Sequence, residues 1–336
     1  MKGYGPHSQP LSRSAGEGLG VRAIEREETM LVIGEAIHVI APKVKAAIAE
    51  RDKEEIQSRA LKQLEAGAQV LDLNIGPQRK TGPEVMTWIV DVVQEVAPGV
   101  RLSLDTTNAA AIEAGLQRCK EKPIINSTDA TPERMSALMP LAAGYEADLI
   151  ALTYAGGALP SSADARIELA CERILPAAAE HGLPVERILF DPLVLTVNGN
   201  QDQAMQTIEA VRFFKQTSEP PPLTTCGLSN ISSGAPEEVR RVLNRVFLVM
   251  MRAAGLDSAI LDPLDAKLME ALRTVENRDD STALGRLYLA LFDAVAAGGE
   301  IDLSSADMSD PEQRDVVRTV EIFENKWIYA HSYLRA

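Results

Sequence analysis

Six polar residues stand at or just beyond the C-terminal ends of short aliphatic runs. They are Asp72 and Asn74 in Val70–Asn74, Asp105 closing Arg101–Asp105, Asn126 in Ile124–Ser127, Asp191 closing Ile188–Asp191, and Asn230 just past Thr224–Leu228. Carboxylates accept hydrogen bonds, and amides both donate and accept them. With few cations beside these positions, the set suits a neutral heterocycle carrying several N–H donors better than it suits a phosphate. A reduced pterin fits, because one carboxylate can accept two adjacent N–H groups of its amino-pyrimidinone edge through charge-assisted bonds. Each residue alone has a plainer reading, since Asp and Asn at strand-to-helix junctions commonly cap the next helix or bend the loop.

The elements that must position these residues repeat along the chain. Eight short runs read as strands: Leu31–Gly34, Val70–Asn74, Arg101–Asp105, Ile124–Ser127, Asp148–Thr153, Ile188–Asp191, Thr224–Leu228 and Ala259–Asp262. Between them the apolar residues recur at helical spacing over Glu54–Ala66, Pro83–Val96, Ala109–Cys119, Pro132–Ala143, Ala165–His181, Gln203–Lys215 and Pro236–Ala254. Strict β–α alternation demands parallel strands, and strands without a polar face need helices over them. The expected fold is a (β/α)8 TIM barrel spanning 30–276, whose chemistry sits at the C-terminal strand ends, where the six residues lie. The open doubly wound sheet is disfavoured because no Gly-x-Gly-x-x-Gly follows the first strand; the loop expected there is Gly34-Glu35-Ala36-Ile37-His38.

Outside the barrel, residues 1–29 read as a disordered leader, with Met30 as a candidate natural start. Residues 277–336 read as an inserted segment, with a helix over Leu284–Ala297, and a last helix from Arg314 to about Tyr329. That last helix has apolar positions to set against the barrel or a second subunit.

Composition narrows the partners. Over 336 residues, 48 Asp and Glu against 34 Lys and Arg give a net charge of −14, which repels nucleic acid. No apolar run approaches the roughly 20 residues that a membrane-crossing helix needs. Cys119, Cys171 and Cys226 are scattered, as are His7, His38, His181 and His331, so neither a disulfide framework nor a metal site is expected, and a cytoplasmic setting fits. No strand ends in a lysine for Schiff-base chemistry, and no Gly-x-Ser-x-Gly elbow occurs. For His38, the one histidine near a strand end, a loop hydrogen bond is expected.

The blocks Met30–Glu35, Leu71–Pro77, Leu104–Asn108, Ile125–Thr128, Asp191–Leu193 and Gly227–Asn230 resemble, in order, the pterin-binding methyltransferases. Within that family they most resemble the methyltetrahydrofolate:corrinoid/iron–sulfur protein methyltransferases of the acetyl-CoA pathway. The likeness runs from Met30 to about Val275 and resumes in Glu321–Leu334. It implies a homodimeric barrel that takes methyltetrahydrofolate and passes its methyl group to the cobalt(I) corrinoid of a partner protein, expected to be a corrinoid/iron–sulfur protein. It also implies that Asp105, Asn126 and Asp191 hydrogen-bond the pterin, that Asp72 and Asn74 line the pocket, and that Asn230 swings in to donate to the methyl-bearing nitrogen. The chain lacks an Asp-x-His-x-x-Gly motif and clustered cysteines, so the corrinoid is expected to ride on the partner and no metal on this chain.

Some features depart from the resemblance. Where relatives have Gly-Glu-Arg-x-Asn, this chain has Gly34-Glu35-Ala36-Ile37-His38, and the segment after Asn230 is longer. The same residues would serve a methyltransferase working in the opposite sense, from a demethylase system's corrinoid protein to tetrahydrofolate. A non-catalytic folate-binding protein would not need Asn230. Dihydropteroate synthase, which shares the barrel, resembles the chain less, because its Ser-x-Arg-Pro-Gly loop is missing.

Overall fold

Alternate residues of a strand face opposite ways, so strands apolar on both faces must be covered on both. The computed structural model describes residues 29–335 and meets this demand by rolling the sheet on itself. Its strands are β1 Leu31–His38, β2 Val70–Asn74, β3 Arg101–Asp105, β4 Ile124–Thr128, β5 Asp148–Leu152, β6 Ile188–Asp191, β7 Leu223–Thr224 and β8 Ser258–Leu261. All pairings are parallel, in the order β7-β6-β5-β4-β3-β2-β1-β8. Between β8 and β7 the Ile260 amide donates to Cys226 O at 2.8 Å and Gly227 bridges Ile260, so the ring nearly closes into a (β/α)8 TIM barrel.

The two strand faces do different work. Outward residues such as Leu71, Leu73, Leu102, Leu104, Ile125 and Phe190 join the main core beneath the helices. Inward residues Ile33, Val70, Ile124, Ile150 and Leu189 form a separate apolar cluster inside the barrel. Two residues further along the same faces come Glu35, Asp72, Asn126 and Asp191. The interior is therefore apolar below and polar at the mouth.

The structure differs from the sequence reading in several places. The expected loop Gly34–His38 belongs to β1, which carries one extra residue against β2: Gly34 pairs with Leu71 and Ile37 with Leu73. The extra backbone groups are satisfied from the helix Lys53–Glu65, because Gln63 Oε1 accepts from the Ala36 amide at 2.7 Å and Arg59 donates to Ala36 O at 3.3 Å. A helix over Pro42–Glu50, opened by its proline, was not expected. β7 is shorter than Thr224–Leu228 because its hydrogen bonds divide: Thr225 N bonds Phe190 O of β6, while Cys226 O serves β8. The stretch Ala165–His181 is helical from Ala163 to Glu180 with a π turn at Ala170–Ile174.

The last helix is Pro311–Phe323, ending before Tyr329 because Asn325 turns left-handed at φ 59° and Gln201 then holds Asn325 Oδ1 and Trp327 O. It and the helix Ala283–Ala297 pack against the barrel helix Glu237–Ala253, with Phe323 edge-on to Phe247 at 5.4 Å. The expected leader lies, apart from Thr29, outside the described residues. Among the described residues no helix is long and apolar enough to cross a membrane.

The bulge in β1 depends on close approach at Gly34. A Cβ there would sit 2.5 Å from Gln63 Oε1 and 3.2 Å from Ala68 Cβ. Gly34→Ala is therefore expected to destabilise the fold by about 1–3 kcal/mol, read from urea unfolding midpoints at constant slope.

Candidate active site

The register of β2, β3 and β4 builds one connected polar group. Asp72 lies opposite Ser103, and Asn74, Asp105 and Asn126 lie side by side at the mouth. Ser103 Oγ donates to Asp72 Oδ1 at 2.6 Å, and Asn126 Nδ2 donates to the same oxygen at 3.0 Å. Asn74 donates its amide to Asp105 and accepts the Gly76 amide at 3.0 Å. Asp72 is buried, whereas Asn74, Asp105 and Asn126 are half-buried and border the opening. The deep members thus orient the shallow ones.

Burial pushes both Asp72 and Asp105 above the ordinary aspartate range, and Asp105 is raised further by the charge of Asp72. Donated bonds from Ser103, Asn126 and Asn74 oppose the rise without cancelling it. Facing carboxyls raised in this way titrate as a pair rather than singly. A ligand edge with adjacent N–H groups would supply donors that water-poor surroundings withhold, favouring the ionised form.

Asp191 stands across the mouth from that group, on β6. It is 6% exposed, accepts the Leu193 amide at 2.7 Å and is bonded by the Gly227 backbone. Desolvation nevertheless raises its pKa to about 7. Asn230 lies in the 3₁₀ turn Leu228–Ser232, is exposed, and folds its amide back over Gly227. None of the six residues is a helix N-cap; Asn108, Thr131, Ser162 and Thr196 occupy those positions after β3 to β6. Asn74 and Asp191 do make the local turn bonds that the plainer reading foresaw. His38 Nδ1 likewise accepts the Ile40 amide at 3.0 Å.

Several residues at the mouth escaped the sequence reading. Glu35 follows Ile33 on the inner face of β1 and accepts from Ser229 Oγ at 3.0 Å. Desolvation, with Asp262 and Asp72 nearby, raises its pKa to about 7, against the opposing Ser229 bond and Arg240. Arg134 donates to the carbonyls of Thr106, Thr107 and Ser127, tying the ends of β3 and β4. Arg166, fully buried, donates to Pro192 O at 2.6 Å and to Ser162 O at 3.0 Å, and its charge faces Asp191. Both arginines sit in the first turns of helices leaving β4 and β5. Such turns open at the mouth, so a cation there reaches strand ends although it is remote from them in sequence. Among the described residues no cluster of three or more His, Cys, Asp or Glu could hold a metal ion.

The Asp191 environment predicts a pH dependence. Its pKa is about 7 in the fold against an ordinary value of 3.8, so the unfolded chain loses this proton first as pH rises. The contribution of this group to stability is fully present below about pH 4 and is lost between about 4 and about 7, by up to about 1.4 kcal/mol per pH unit. Asp191→Asn should flatten that decline, measured as urea unfolding free energies of the ligand-free protein at pH 5 and 7.5.

Comparison with known proteins agrees with this geometry. The model of the family described as pterin binding enzyme matches residues 42–262. A methylcorrinoid:tetrahydrofolate methyltransferase of Eubacterium limosum is 29% identical over 265 residues, covering 78% of this chain and 96% of that protein. A methionine synthase of Mycobacterium tuberculosis is 29% identical over 306 residues, 84% of this chain but only 25% of that protein. Dihydropteroate synthase from Thermus thermophilus superposes with a TM-score of 0.54 over 75% of this chain and 94% of that one, at 17% identity, a likeness of fold. With its inward polar layer at the barrel mouth and more than half its length matched, the chain belongs to the pterin binding enzyme family.

Proposed function

We propose that the barrel mouth holds a folate by its pterin ring and that the chain is a methyltransferase, moving a methyl group between that folate and the cobalt of a corrinoid carried by a separate protein. The observation that carries this reading is the hydrogen-bonded group of Asp72, Ser103, Asn74, Asp105 and Asn126, which directs carboxylate and amide atoms into the mouth. Asp105 and Asn126 would meet the amino-pyrimidinone edge, supported from below by Asp72 and from the side by Asn74. Asp191 would take a further N–H from the opposite wall.

Asn230 has a different task in this reading. A tertiary amine is a poor leaving group, so breaking its bond to methyl requires the charge developing on nitrogen to be neutralised. A donor placed there helps the transition state more than the ground state, and so raises turnover rather than affinity. As the carbon–nitrogen bond breaks, the electron pair stays on nitrogen and cobalt(I) supplies the pair for the new carbon–cobalt bond. The corrinoid is the second substrate, brought by its own protein.

The sense of transfer follows from partners and concentrations, because a catalyst speeds both directions. The motif blocks resemble enzymes that deliver methyl to a corrinoid/iron–sulfur protein, as homodimers in the cytoplasm. The likeness along 96% of a methylcorrinoid:tetrahydrofolate methyltransferase supports the opposite physiological sense, with tetrahydrofolate as acceptor.

Calorimetric titration with methyltetrahydrofolate, followed by a cobalt(I) cobalamin methylation assay, tests the reading. Asn230→Ala is expected to lower kcat by about 10²–10³-fold while leaving folate affinity within a few-fold. Asp105→Ala and Asp191→Ala should instead weaken binding itself. Tight binding retained in both would remove the proposed pocket.

A further inference from the structure

The 3₁₀ turn that carries Asn230 is tethered by side chains on either side of it. Thr196 Oγ1 donates to Ser233 O at 2.7 Å, and Ser229 Oγ donates to Glu35 Oε2 at 3.0 Å across a sequence separation of 194 residues. Further bonds are internal, Asn230 N to Gly227 O at 3.2 Å, Ser233 N to Asn230 O at 3.1 Å and Ser232 Oγ to Ser229 O at 3.1 Å, and the Ala235 amide donates to Ser232 O at 3.0 Å. We propose that Glu35 is a positioning residue: by holding Ser229 it fixes the turn from which Asn230 reaches the folate. The inference rests on the reading of Asn230 given above.

The carboxylate has no need to be there for closure, because main-chain bonds from Ile260 to Cys226 already join β8 to β7. Below it on the same face of β1 stand Leu31 and Ile33, both apolar. A carboxyl in that place faces Asp262 and Asp72, with Arg240 as the opposing cation, and must be desolvated, which is costly unless it makes a specific bond. The bulge at Gly34–Ile37, built with Gln63 and Arg59, sits where Glu35 turns inward, so the backbone too is shaped around this position. On the other side of the contact lies a cavity of about 690 Å³ bordered by Glu35, Ser229, Arg240, Asn244 and Asp262, so this bond spans the edge of open space. Asn230 itself lies so close over Gly227 that a Cβ there would be 3.0 Å from Nδ2, so small displacements of the turn redirect the amide.

The test uses the full chain, methyltetrahydrofolate and free cobalt(I) cobalamin as methyl acceptor. Glu35→Ala and Ser229→Ala should each lower kcat about tenfold, the scale of one lost hydrogen bond, with folate Kd changed less than about twofold. The double variant should fall no further than either single one, because both remove one interaction. Glu35→Gln, which keeps an acceptor of the same shape, should restore most of the turnover lost in Glu35→Ala. Thermal unfolding of each variant is recorded beside the kinetics, and if Glu35→Ala does not fold, Ser229→Ala and Glu35→Gln decide. Losses that multiply, no loss, or an equal loss of folate affinity, which would make Glu35 a pterin ligand, each overturn the proposal. Asn230→Ala in the same assay separates the two levels. Full turnover there removes the role of Asn230, whereas loss there with unaffected Glu35 and Ser229 variants removes only the tether.

Discussion

The structure depends on one constraint: residues facing inward from a nearly closed parallel barrel are confined to a narrow column that opens, at the C-terminal strand ends, into the mouth. Alternation at period 2 fixes which residues enter that column, and the stagger between strands stacks them. Ile33, Val70, Ile124, Ile150 and Leu189 fill its lower part and exclude water. Carboxylates placed one step above are then half in an apolar surrounding and half open to the mouth. That placement raises Glu35, Asp72, Asp105 and Asp191 above their ordinary pKa values, and it makes them demand hydrogen-bond donors. In the proposed reading, recognition of a donor-rich ring and the pH sensitivity of the fold would come from the same cause.

Most strands were legible because they are short aliphatic runs ended by a polar residue; β2, β3 and β6 coincide with the runs read from the sequence. β1 was less legible. Gly34 reads as the end of a strand, and only the three-dimensional approach of Gln63 shows why a glycine continues there. Because the bulge was invisible, Glu35 was assigned to a loop, although its place two residues after Ile33 is the same signal that marks Asp72 after Val70. The seventh strand is legible at Thr224–Leu228 but not its shortness, since its donors and acceptors split between two neighbours and leave a paired ladder of two residues. The connectivity among Asp72, Ser103, Asn74 and Asp105 was not legible either, because it depends on which residues lie in register across strands about 30 apart in sequence, as βαβ units are.

The arginines show a different limit. Arg134 and Arg166 lie on helices and look from the sequence like members of solvated faces. In the barrel a helix begins where a loop leaves a strand, so its first turn overlooks the mouth. Their guanidinium groups go to backbone carbonyls, fixing the ends of β3 and β4 and the turn at Pro192. A mouth described by strand ends alone therefore looked poorer in cations than it is. Most of the charge of Arg134 and Arg166 is directed at the scaffold, which leaves the carboxylates to set the character of the opening.

The two walls of the mouth differ in how firmly their polar groups are held. On β2 to β4 every candidate side chain is bonded to another candidate or to Ser103, within strands paired along their length. On the side of β7 the strand has shrunk to two residues, and Asn230 is the exposed residue of a 3₁₀ turn otherwise packed through Leu228, Ile231 and Ser232. Firmly bonded groups on one wall and an exposed amide on the other are the division that the proposed transfer would require. The ring must be held in one orientation throughout, whereas help at the methyl-bearing nitrogen is worth most when it arrives as the bond breaks.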